Sequence, residues 1–497
     1  MIDVRGMRRS GRGRAARSLV LAALLPVLSG CILTADKLDP ALDVPDKYRA
    51  APGRAHAALP PLEWWRSFRS AELTDLMEQT LAANLDVAAA IARIVQADAQ
   101  ARIAGAPLLP GLSGSGSVTR SRPSANTGTN AIAVTDRTNY NMALNASYVV
   151  DFWGRNRALL RAAESSAAAS RFDREVVALT AQASVANAYF LVLEAQDRIR
   201  VASENIKASE RILKVIQDRF SVGGAAPSGS AVGAQGSGSA LDVAQQASLV
   251  AIQRASIPPL VQQAEQNRAT LALLVGRTPE HMRVRGGSMY RLAIPRVTPG
   301  LPSELLAQRP DIREAEAKLA GADANVEAAR AAFFPTIQLT GQGGVSSAML
   351  SNLFAPGSGF YSVAAGVTQP IFDGATLLGQ LDLQKGLREE LLQNYRKSVI
   401  SAFTDVERAL IAVQQLARQE QLQREAVAES RRAFNLSEER FRAGTIDLTT
   451  LLTVEQTFFQ QEDQLALVRF NRLQALVSLY QALGGGWLPP RRMTEDR

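Results

Sequence analysis

The sequence predicts a protein of mixed α and β structure, made mainly of long α-helices and divided into two similar halves. Three observations support this prediction. Long tracts are rich in Ala, Gln, Leu, Glu and Arg, a composition typical of extended helices and coiled coils. Shorter regions alternate between apolar and polar residues, which is typical of β-strands. Motifs of the first half recur in the second half at a nearly constant offset.

The repeat is visible in pairs of motifs. Leu85-Asp86-Val87 corresponds to Pro310-Asp311-Ile312, 225 positions later. The stretch from Arg219 to Gly223 corresponds to Arg440 to Gly444, 221 positions later, and both read Arg-Phe-x-x-Gly. A solenoid repeats every ~20–50 residues, so this longer period indicates a duplicated half-protein. We therefore expect each half to build the same elements.

The two repeats are expected at 63–276 and 303–487. Residues 277–302 contain four prolines and form a linker between them, and residues 488–497 form a short tail. A length of 497 residues would ordinarily suggest two or three domains. The duplication argues instead for one architecture built of two halves.

The N-terminus has the pattern of a secretory signal peptide at residues 1–30. Arg-rich residues precede a short apolar run, which ends in Leu28-Ser29-Gly30-Cys31. The run is too short for a helix that spans a bilayer, which needs ~20 residues. Leu-Ser-Gly-Cys resembles a bacterial lipobox, which implies that Cys31 is acylated and becomes the first residue of the mature chain. The alternative is an ordinary cysteine in a cleaved signal.

Two further features follow the lipobox. Ile32 stands where an Asp would resemble a signal for retention in the inner membrane, so the sequence favours the outer membrane. Residues 31–62 are rich in Pro, Asp and Ala, and we expect them to form an extended, lipid-anchored tether.

The first half begins at Glu63-Trp64-Trp65 and contains three predicted helices. Apolar residues at a spacing of three to four predict one helix at 71–103, followed by two prolines that end it. The same pattern predicts helices at 155–220 and 240–275. Between the last two helices, residues 223–239 are almost all Gly, Ala, Ser and Pro, and we expect this segment to be flexible.

Strand patterns lie between the first and second helices of each half. Residues 140–152 alternate strictly between apolar and polar side chains, which predicts a strand with one apolar face. We expect β-hairpins at about 111–153 and 336–372. Strands of about 9–11 residues with aromatic residues near the ends fit a transmembrane β-strand. A half-buried hairpin of a soluble protein is the alternative.

Four strands per chain constrain the assembly. An open sheet edge in lipid leaves unpaired N–H and C=O groups that cost several kcal/mol each, so spanning sheets close into barrels. Closed membrane barrels have about eight strands or more. One chain is therefore insufficient, and a trimer would supply twelve strands.

The second half repeats the helical pattern of the first. Helices are predicted at 303–332, at 375–442 and from a turn at 444–449 to about residue 483. A helix as long as 375–442 spans ~100 Å at about 1.5 Å per residue. No globular core buries such a helix, so we expect it to pack along partner helices.

Composition argues against several classes of function. The net charge is +8, but residues 1–30 carry six Arg and one Asp, so most of that excess lies in the signal peptide. No basic patch with interleaved aromatics supports nucleic-acid binding. The single cysteine and two histidines are not at metal-ligand spacing, and no catalytic or phosphate-binding motif is present. We therefore expect neither an enzyme nor a bound cofactor.

Taken together, the chain resembles the outer-membrane efflux protein family, the TolC-like outer membrane factors, and among them the NodT-type lipoproteins. The resemblance extends from Cys31 to Trp487. Six motifs carry it: the lipobox at Cys31, Trp64-Trp65, Arg309-Pro310-Asp311-Ile312, the run from Ala322 to Pro335, Gln369-Pro370-Ile371-Phe372, and Leu483-Gly484-Gly485-Gly486-Trp487.

The resemblance implies a homotrimer with a twelve-stranded β-barrel in the outer membrane and a long α-helical barrel across the periplasm. It also implies a passive exit duct for small toxic compounds, with a periplasmic adaptor protein, an inner-membrane pump and outer-membrane lipid as partners. Two alternatives stay open. One is the duct of a type I protein secretion system, and the other is a periplasmic coiled-coil scaffold lipoprotein without a pore.

Family knowledge also implies candidate site residues. The turns between paired helices form the periplasmic tip and meet the adaptor, which gives Arg219, Gly223, Arg440 and Gly444 as candidates. For each glycine the alternative is a helix C-cap in the left-handed region. The gate residues lie just past the second turn.

Some relatives narrow the pore there with a ring of carboxylates. The corresponding residue is Thr453, and Asp447 and Glu455 are the nearest carboxylates. These three residues are the gate candidates. The first turn, at 223–239, is also longer than the family pattern by about 13 residues. This insertion either alters adaptor fit or gating, or is a tolerated loop extension.

Overall fold

The computed structural model describes residues 42, 44–50, 60–122, 136–223, 239–485 and 487. The signal peptide, Cys31 and most of the predicted tether lie outside the described residues. So do the centre of the flexible segment at 223–239 and the tail at 488–497.

Both halves contain the same elements in the same order: two helices, two strands, a long helix and a further helix. In the first half these are α1 Ala71–Ala83, α2 Leu85–Gly105, β1 Gly111–Ser121, β2 Arg137–Val150, α3 Arg155–Gly223 and α4 Ala240–Val275. In the second half they are α5 Pro302–Gln308, α6 Pro310–Ala331, β3 Thr336–Ser347, β4 Gly359–Thr368, α7 Thr376–Arg442 and α8 Leu448–Ala482. This order confirms the internal duplication.

The prediction of one unbroken helix at the start of each half was wrong. Asn84 separates α1 from α2 with an extended backbone, and its Oδ1 accepts hydrogen bonds from the first backbone N–H groups of α2. In the second half, Arg309 separates α5 from α6 and is also extended. The residue before a proline disfavours the helical region, so Pro310 causes this second break.

The chain forms two compact units. The sheet unit contains the described residues within 95–168 and 316–394. The helical unit contains those within 42–94, 169–315 and 395–487.

The sheet unit contains one antiparallel sheet in the order β1-β2-β3-β4. The register places Gly111 opposite Ser147, Tyr140 opposite Ser347 and Thr336 opposite Thr368. The central pair, β2 and β3, joins the hairpin of the first half to that of the second. Within the described residues, β1 and β4 are edge strands, as the count of four strands predicts.

The register separates two chemically different faces, as the alternation in the sequence predicts. One face carries apolar side chains: Leu112, Val118, Tyr140, Met142, Leu144, Tyr148, Val150, Ile337, Leu339, Val345, Tyr361, Val363 and Val367. The other face is mainly Ser, Thr, Asn and Gln. On this face Asn145 Nδ2 donates to Ser115 Oγ at 3.0 Å, and Ser346 Oγ donates to Asn139 Oδ1 at 3.0 Å. Val363 is 84% exposed in the single chain, so no described part of the chain covers the apolar face there.

Gly344 allows β3 to approach β2 closely. A Cβ at this position would lie 2.1 Å from the carbonyl oxygen of Met142 and 2.7 Å from Cα of Ala143. Any other residue would push the two strands apart, so glycine is required by packing at this point of the sheet.

The largest core of the helical unit surrounds Trp64. This side chain is fully buried and stacks on Tyr480 of α8 with ring centroids 5.2 Å apart. Phe68 packs against Phe190 of α3 at 5.2 Å. Fully burying a side chain such as Phe68 stabilises the fold by about 1.5–3 kcal/mol. The segment from Trp64 to Phe68 therefore packs against α3 and α8 at the start of the first repeat.

The ends of α4 and α8 are closed in the same way. Gly276 and Gly484 follow these helices with φ of +75° and +89°. A Cβ on either would lie 2.3 Å from a backbone oxygen, that of Ala83 or of Gln308 respectively. Ala83 and Gln308 are 225 positions apart, the offset that the sequence motifs show. The breaks and the helix ends of the two repeats are thus packed equivalently.

Candidate functional site

The turn after α7 is a glycine-capped helix end. Gly444 has φ of +70°, and its N–H donates to the oxygen of Phe441 at 3.0 Å. The N–H of Thr445 donates to the oxygen of Arg440 at 2.9 Å. These two hydrogen bonds satisfy carbonyls that the helix itself leaves open. Gly444 therefore has the capping role that the sequence offers as its alternative, and this role is compatible with a place at a tip.

The side chain of Arg219, on α3, caps the same end of α7. Its Nη2 donates to the oxygens of Phe441 at 3.1 Å and of Arg442 at 2.7 Å. Its guanidinium also lies 4.9 Å from the centre of the Phe441 ring. Cationic donors are favourable at a helix C-terminus, because the last carbonyls carry partial negative charge. The structure therefore brings three residues of the two Arg-Phe-x-x-Gly motifs together: Arg219, Phe441 and Gly444.

The equivalent residues of the two motifs, Arg440, Phe220 and Gly223, do not form this arrangement. Arg440 is exposed, and its side chain has no hydrogen bond or ion pair within the described ranges. Phe220 is 44% exposed, whereas Phe441 is 8% exposed. Gly223 is the last residue of α3.

Two of the three gate candidates lie on the first turns of α8. Asp447 is the N-cap, and its Oδ1 accepts from the N–H of Thr450 at 2.8 Å. Hydrogen bonds from the side chain and the backbone N–H of Thr450 lower the pKa of Asp447 below its ordinary value. Thr453 is exposed and donates its hydroxyl to the oxygen of Thr449 at 2.9 Å. Asp447 therefore stabilises the start of α8.

The third candidate, Glu455, is fully buried between three helices. Its Oε1 accepts from the hydroxyl of Ser209 on α3, and its Oε2 lies 3.4 Å from Nε2 of Gln246 on α4. Gln246 also donates to the backbone oxygen of Ser209 at 3.1 Å. Ser209 and Gln246 are fully buried as well. We call Ser209, Gln246 and Glu455 the polar cluster.

Among the described residues, no cation pairs with the polar cluster. Both donors to Glu455 in the described structure are neutral groups, and burial raises the pKa of its carboxyl. Glu438 on α7 raises it further, although Glu438 itself pairs with Arg442. The Gln246 side-chain oxygen has no hydrogen-bond partner among the described residues. A proton on Glu455 would add a donor to a cluster that has more acceptors than donors.

Sequence reasoning missed Ser209, Gln246 and Phe441 as partners of the candidate residues. Phe441 lies within a motif that had been recognised, so its repeat could have suggested it. Ser209 and Gln246 are small or neutral residues in long helices, and nothing in the helical pattern distinguishes them from exposed ones. Only the packing of α3 against α4 and α8 shows that they surround a buried carboxylate.

The linker between the repeats is held by buried charges. Glu420 of α7 is fully buried and accepts from Arg469 at 3.0 Å and from Arg472 at 2.7 Å. Arg469 also donates to the oxygen of Leu292 at 3.1 Å. On the other side, Asp197 accepts from the N–H of Met289 at 2.9 Å. These contacts anchor 288–292 to α3, α7 and α8.

Neither metal ligation nor helical membrane spans define the site. Within the described ranges there is no group of three or more His, Cys, Asp or Glu that could hold a metal ion. Two helical stretches, 71–108 and 155–221, contain windows apolar enough to span a membrane by composition. Core helices of soluble regions pass the same test, and 56% of the second window is buried. The exposed apolar face of the sheet is the stronger membrane signature.

An exposed apolar sheet face, a polar opposite face and very long paired helices define the class of outer-membrane channels with a helical extension. The family model "Outer membrane efflux protein" matches residues 76–277 and 301–485, once in each half. The chain belongs to this family.

Sequence relatives and solved structures agree with this assignment. The pyoverdine export outer membrane protein OpmQ of Pseudomonas aeruginosa is 39% identical over 480 residues, covering 96% of this chain and 98% of that protein. The toluene efflux pump outer membrane protein TtgC of Pseudomonas putida is 31% identical over 475 residues, covering 94% and 95%. The outer-membrane channel OprN has a similar structure, with a TM-score of 0.84, 25% identity, and coverage of 92% and 99%.

These matches confirm the predicted fold class of long helices with a four-stranded contribution from each chain. The chain is an outer-membrane efflux protein, and its relatives are channels and efflux components rather than enzymes.

Proposed function

We propose that this protein is the outer-membrane exit duct of a tripartite efflux system. It conducts small compounds passively from a periplasmic adaptor and an inner-membrane pump to the exterior. The observation that carries the proposal is the four-stranded sheet, with one exposed apolar face and one polar face. Outer-membrane barrels have this alternation, with lipid outside and a polar interior.

The unpaired edges of β1 and β4 support a homotrimer. An isolated four-stranded sheet cannot face lipid, because its edges leave backbone groups without hydrogen bonds. Three chains arranged as β1-β2-β3-β4 supply a closed barrel of twelve strands when β4 of each chain pairs with β1 of the next. Cys31 would carry the lipid that fixes the chain to the outer membrane.

The turn region supplies the proposed contacts with the adaptor. Arg219, Gly223, Arg440 and Gly444 lie at the ends of α3 and α7, where a partner would meet the helical unit. We assign gate positions to Asp447, Thr453 and Glu455, which follow the second turn. Asp447 and Thr453 are exposed, whereas Glu455 is buried in the polar cluster and would act by holding α8 against α3 and α4. Thr453 carries no charge, so a ring of three such residues would not hold cations as a carboxylate ring would.

The proposed cargo is a small molecule rather than a protein. The relatives described above are named for the export of pyoverdine and for the efflux of toluene. Both cargoes are small organic compounds, and this supports efflux over the alternative of protein secretion.

Paired substitutions on β4 test the assignment of the sheet. Val363→Arg places a charge on the apolar face and Ser362→Arg places the same charge on the polar face. A charge on the lipid side of a barrel costs about 2–4 kcal/mol near the middle of the bilayer. We expect Val363→Arg to reduce the amount of protein in outer-membrane fractions severalfold and Ser362→Arg to leave it nearly unchanged. Equal loss for both variants would contradict the proposed orientation.

Export is tested in a host that lacks its own outer-membrane efflux channel. We expect expression of this protein, together with a cognate adaptor and pump, to lower the cellular accumulation of a fluorescent export substrate. Ser362→Arg should retain export and Val363→Arg should lose it. Unchanged accumulation with the unaltered protein correctly inserted in the outer membrane would argue for the pore-free scaffold.

A further inference from the structure

The two Arg-Phe-x-x-Gly motifs are equivalent in sequence but not in surroundings. Arg219 covers Phe441 and binds the carbonyl oxygens of Phe441 and Arg442, all within one chain. A shift of 221 positions converts Arg219 into Arg440, Phe441 into Phe220 and Arg442 into Ser221. Both Arg440 and Phe220 are exposed in the single chain. Among the described residues of one chain, the equivalent contact of Arg440 with Phe220 is therefore not formed.

A closed ring of duplicated chains supplies the missing partner. Around such a ring, two kinds of contact alternate. The first half of each chain contacts its own second half, and that second half contacts the first half of the next chain. The sheet shows the first kind of junction in the pairing of β2 with β3. The contact of Arg219 with the end of α7 is the same kind of junction in the helical unit. Its counterpart must run from α7 of one chain to α3 of another.

We propose that Arg440 binds the end of α3 of a second copy of this chain, where it covers Phe220 and donates hydrogen bonds to the carbonyl oxygens of Phe220 and Ser221. This inference rests on the proposed trimer and names a contact that holds neighbouring copies together at their helical turns. Its chemistry is that of the intrachain contact: a guanidinium at a helix C-terminus and over an aromatic ring.

The exposure of Phe220 and Arg440 supports a contact with a second copy over the alternative that both side chains simply face solvent. Phe441 packs into a hydrophobic core and lies beneath Arg219, and it is 8% exposed, whereas Phe220 is 44% exposed. Two other arginines of α7 have carboxylate partners in the described structure: Arg442 pairs with Glu438, and Arg431 pairs with Glu462. Arg440 has no such partner among the described side chains. The described residues of a single chain thus leave an unpaired guanidinium and an uncovered ring at equivalent positions.

Crosslinking distinguishes contacts within a chain from contacts between chains. The tested variant is Phe220→Cys with Arg440→Cys, and the matched control is Arg219→Cys with Phe441→Cys. A short bis-maleimide reagent is suitable, because an Arg–Phe contact leaves the backbones farther apart than a disulfide spans. The unaltered protein, whose sole cysteine is Cys31, measures background labelling.

We expect the tested variant to give covalent dimers and trimers on a denaturing gel and the control to give only internally linked single chains. Co-expression of chains that carry Phe220→Cys alone and Arg440→Cys alone should also give covalent dimers. Internally linked single chains from the tested variant would overturn the inference. So would the absence of any crosslink while the control pair reacts.

The native mass of the detergent-extracted protein separates this inference from the proposed function. A single-chain mass would overturn both the trimer and the contact. A trimeric mass without crosslinks between Phe220→Cys and Arg440→Cys would overturn the contact alone.

Discussion

The two repeats use different side chains to bind a helix C-terminus at the break between their first two helices. In the first repeat, Asn84 lies at the break between α1 and α2 and donates from Nδ2 to the oxygen of Leu274, at 2.7 Å, near the end of α4. In the second repeat, Arg309 lies at the equivalent break and donates from Nη1 to the oxygen of Ala482, at 3.1 Å, at the end of α8. A side chain from the break thus supports a helix C-terminus in both repeats.

Asn84 and Arg309 differ in charge. Asn84 is neutral and 3% exposed, and it also caps α2. Arg309 is also bonded to Asp311 at 2.7 Å and to Asp405 at 3.4 Å, so it brings two carboxylates to the second helix end. Duplication has preserved the backbone geometry of the break, while the polar groups that satisfy it have diverged. The backbone conformation of the break is therefore constrained, whereas the type of side chain that binds the helix end is not.

The largest expected effect comes from the glycines, where the repeats are alike. Gly276→Ala and Gly484→Ala each add a Cβ that would lie 2.3 Å from a backbone oxygen, at a φ that alanine disfavours. We expect each substitution to lower the free energy of unfolding by about 3 kcal/mol, since steric overlap adds to backbone strain. Thermal unfolding in detergent measures this loss.

Gly374→Ala provides the matched control for the glycine substitutions. Gly374 has φ of +66°, but its Cβ would meet no atom within 4 Å. We expect a loss of about 1 kcal/mol from backbone strain alone. Equal losses at Gly374 and Gly276 would show that the close approach to Ala83 contributes nothing, and the structural equivalence of the two helix ends would lose its energetic basis.

A smaller effect is expected where the repeats differ. Arg309→Ala removes donors from two carboxylates and from the oxygen of Ala482, and we expect a loss of about 2 kcal/mol. Asn84→Ala removes a cap and one carbonyl bond, with an expected loss of about 1 kcal/mol. Salt should reduce the first loss more than the second, because only Arg309 acts through charge.

Unfolding measurements at low and high ionic strength check this difference. Arg309→Lys serves as a control that keeps the charge but loses the planar fork of donors. Salt dependence of the same size for Asn84→Ala and Arg309→Ala would mean that the two breaks do not differ in electrostatics.

Much of this architecture follows from local patterns in the sequence. The alternation at 140–152 identifies the two faces of the sheet, because side chains in a strand alternate with a period of two. The offset of 225 anticipates the equivalence of Ala83 and Gln308. The break at Asn84 escapes prediction, because the apolar spacing continues through it and only the bond to Leu274 reveals its purpose.

The candidate site is less accessible to sequence reasoning. The repeated motif identifies Arg219 and Arg440 together, yet it does not show that one of them is satisfied and the other exposed. Glu455 is recognisable as a carboxylate past the second turn. Its burial depends on how α8 rotates about its axis, and helical periodicity leaves that rotation unresolved for a residue on the boundary of an apolar face.

The smallest expected effect concerns the polar cluster, where α4 contributes Gln246 and α8 contributes Glu455. Glu455→Gln retains the shape of the side chain, and α4 and α8 then both contribute a glutamine to the cluster. Burial raises the pKa of Glu455 above its ordinary value of 4.5, so the folded protein holds this proton more tightly than the unfolded chain. The associated stability is fully present below that ordinary value and is lost as the pH rises through the raised pKa. The loss is about 1.4 kcal/mol for each unit by which the pKa is raised.

Unfolding curves of the unaltered protein and of Glu455→Gln, collected from pH 4 to pH 8, test this expectation. The two proteins should be similar in stability at pH 4, and Glu455→Gln should become the more stable one as the pH increases. Glu439→Gln is the matched control, since Glu439 is an exposed carboxylate near the end of α7. Its stability should follow that of the unaltered protein throughout. If the difference between the unaltered protein and Glu455→Gln stays constant with pH, Glu455 keeps the same charge in both states. The buried carboxylate would then have a cationic partner that the described residues of a single chain do not supply.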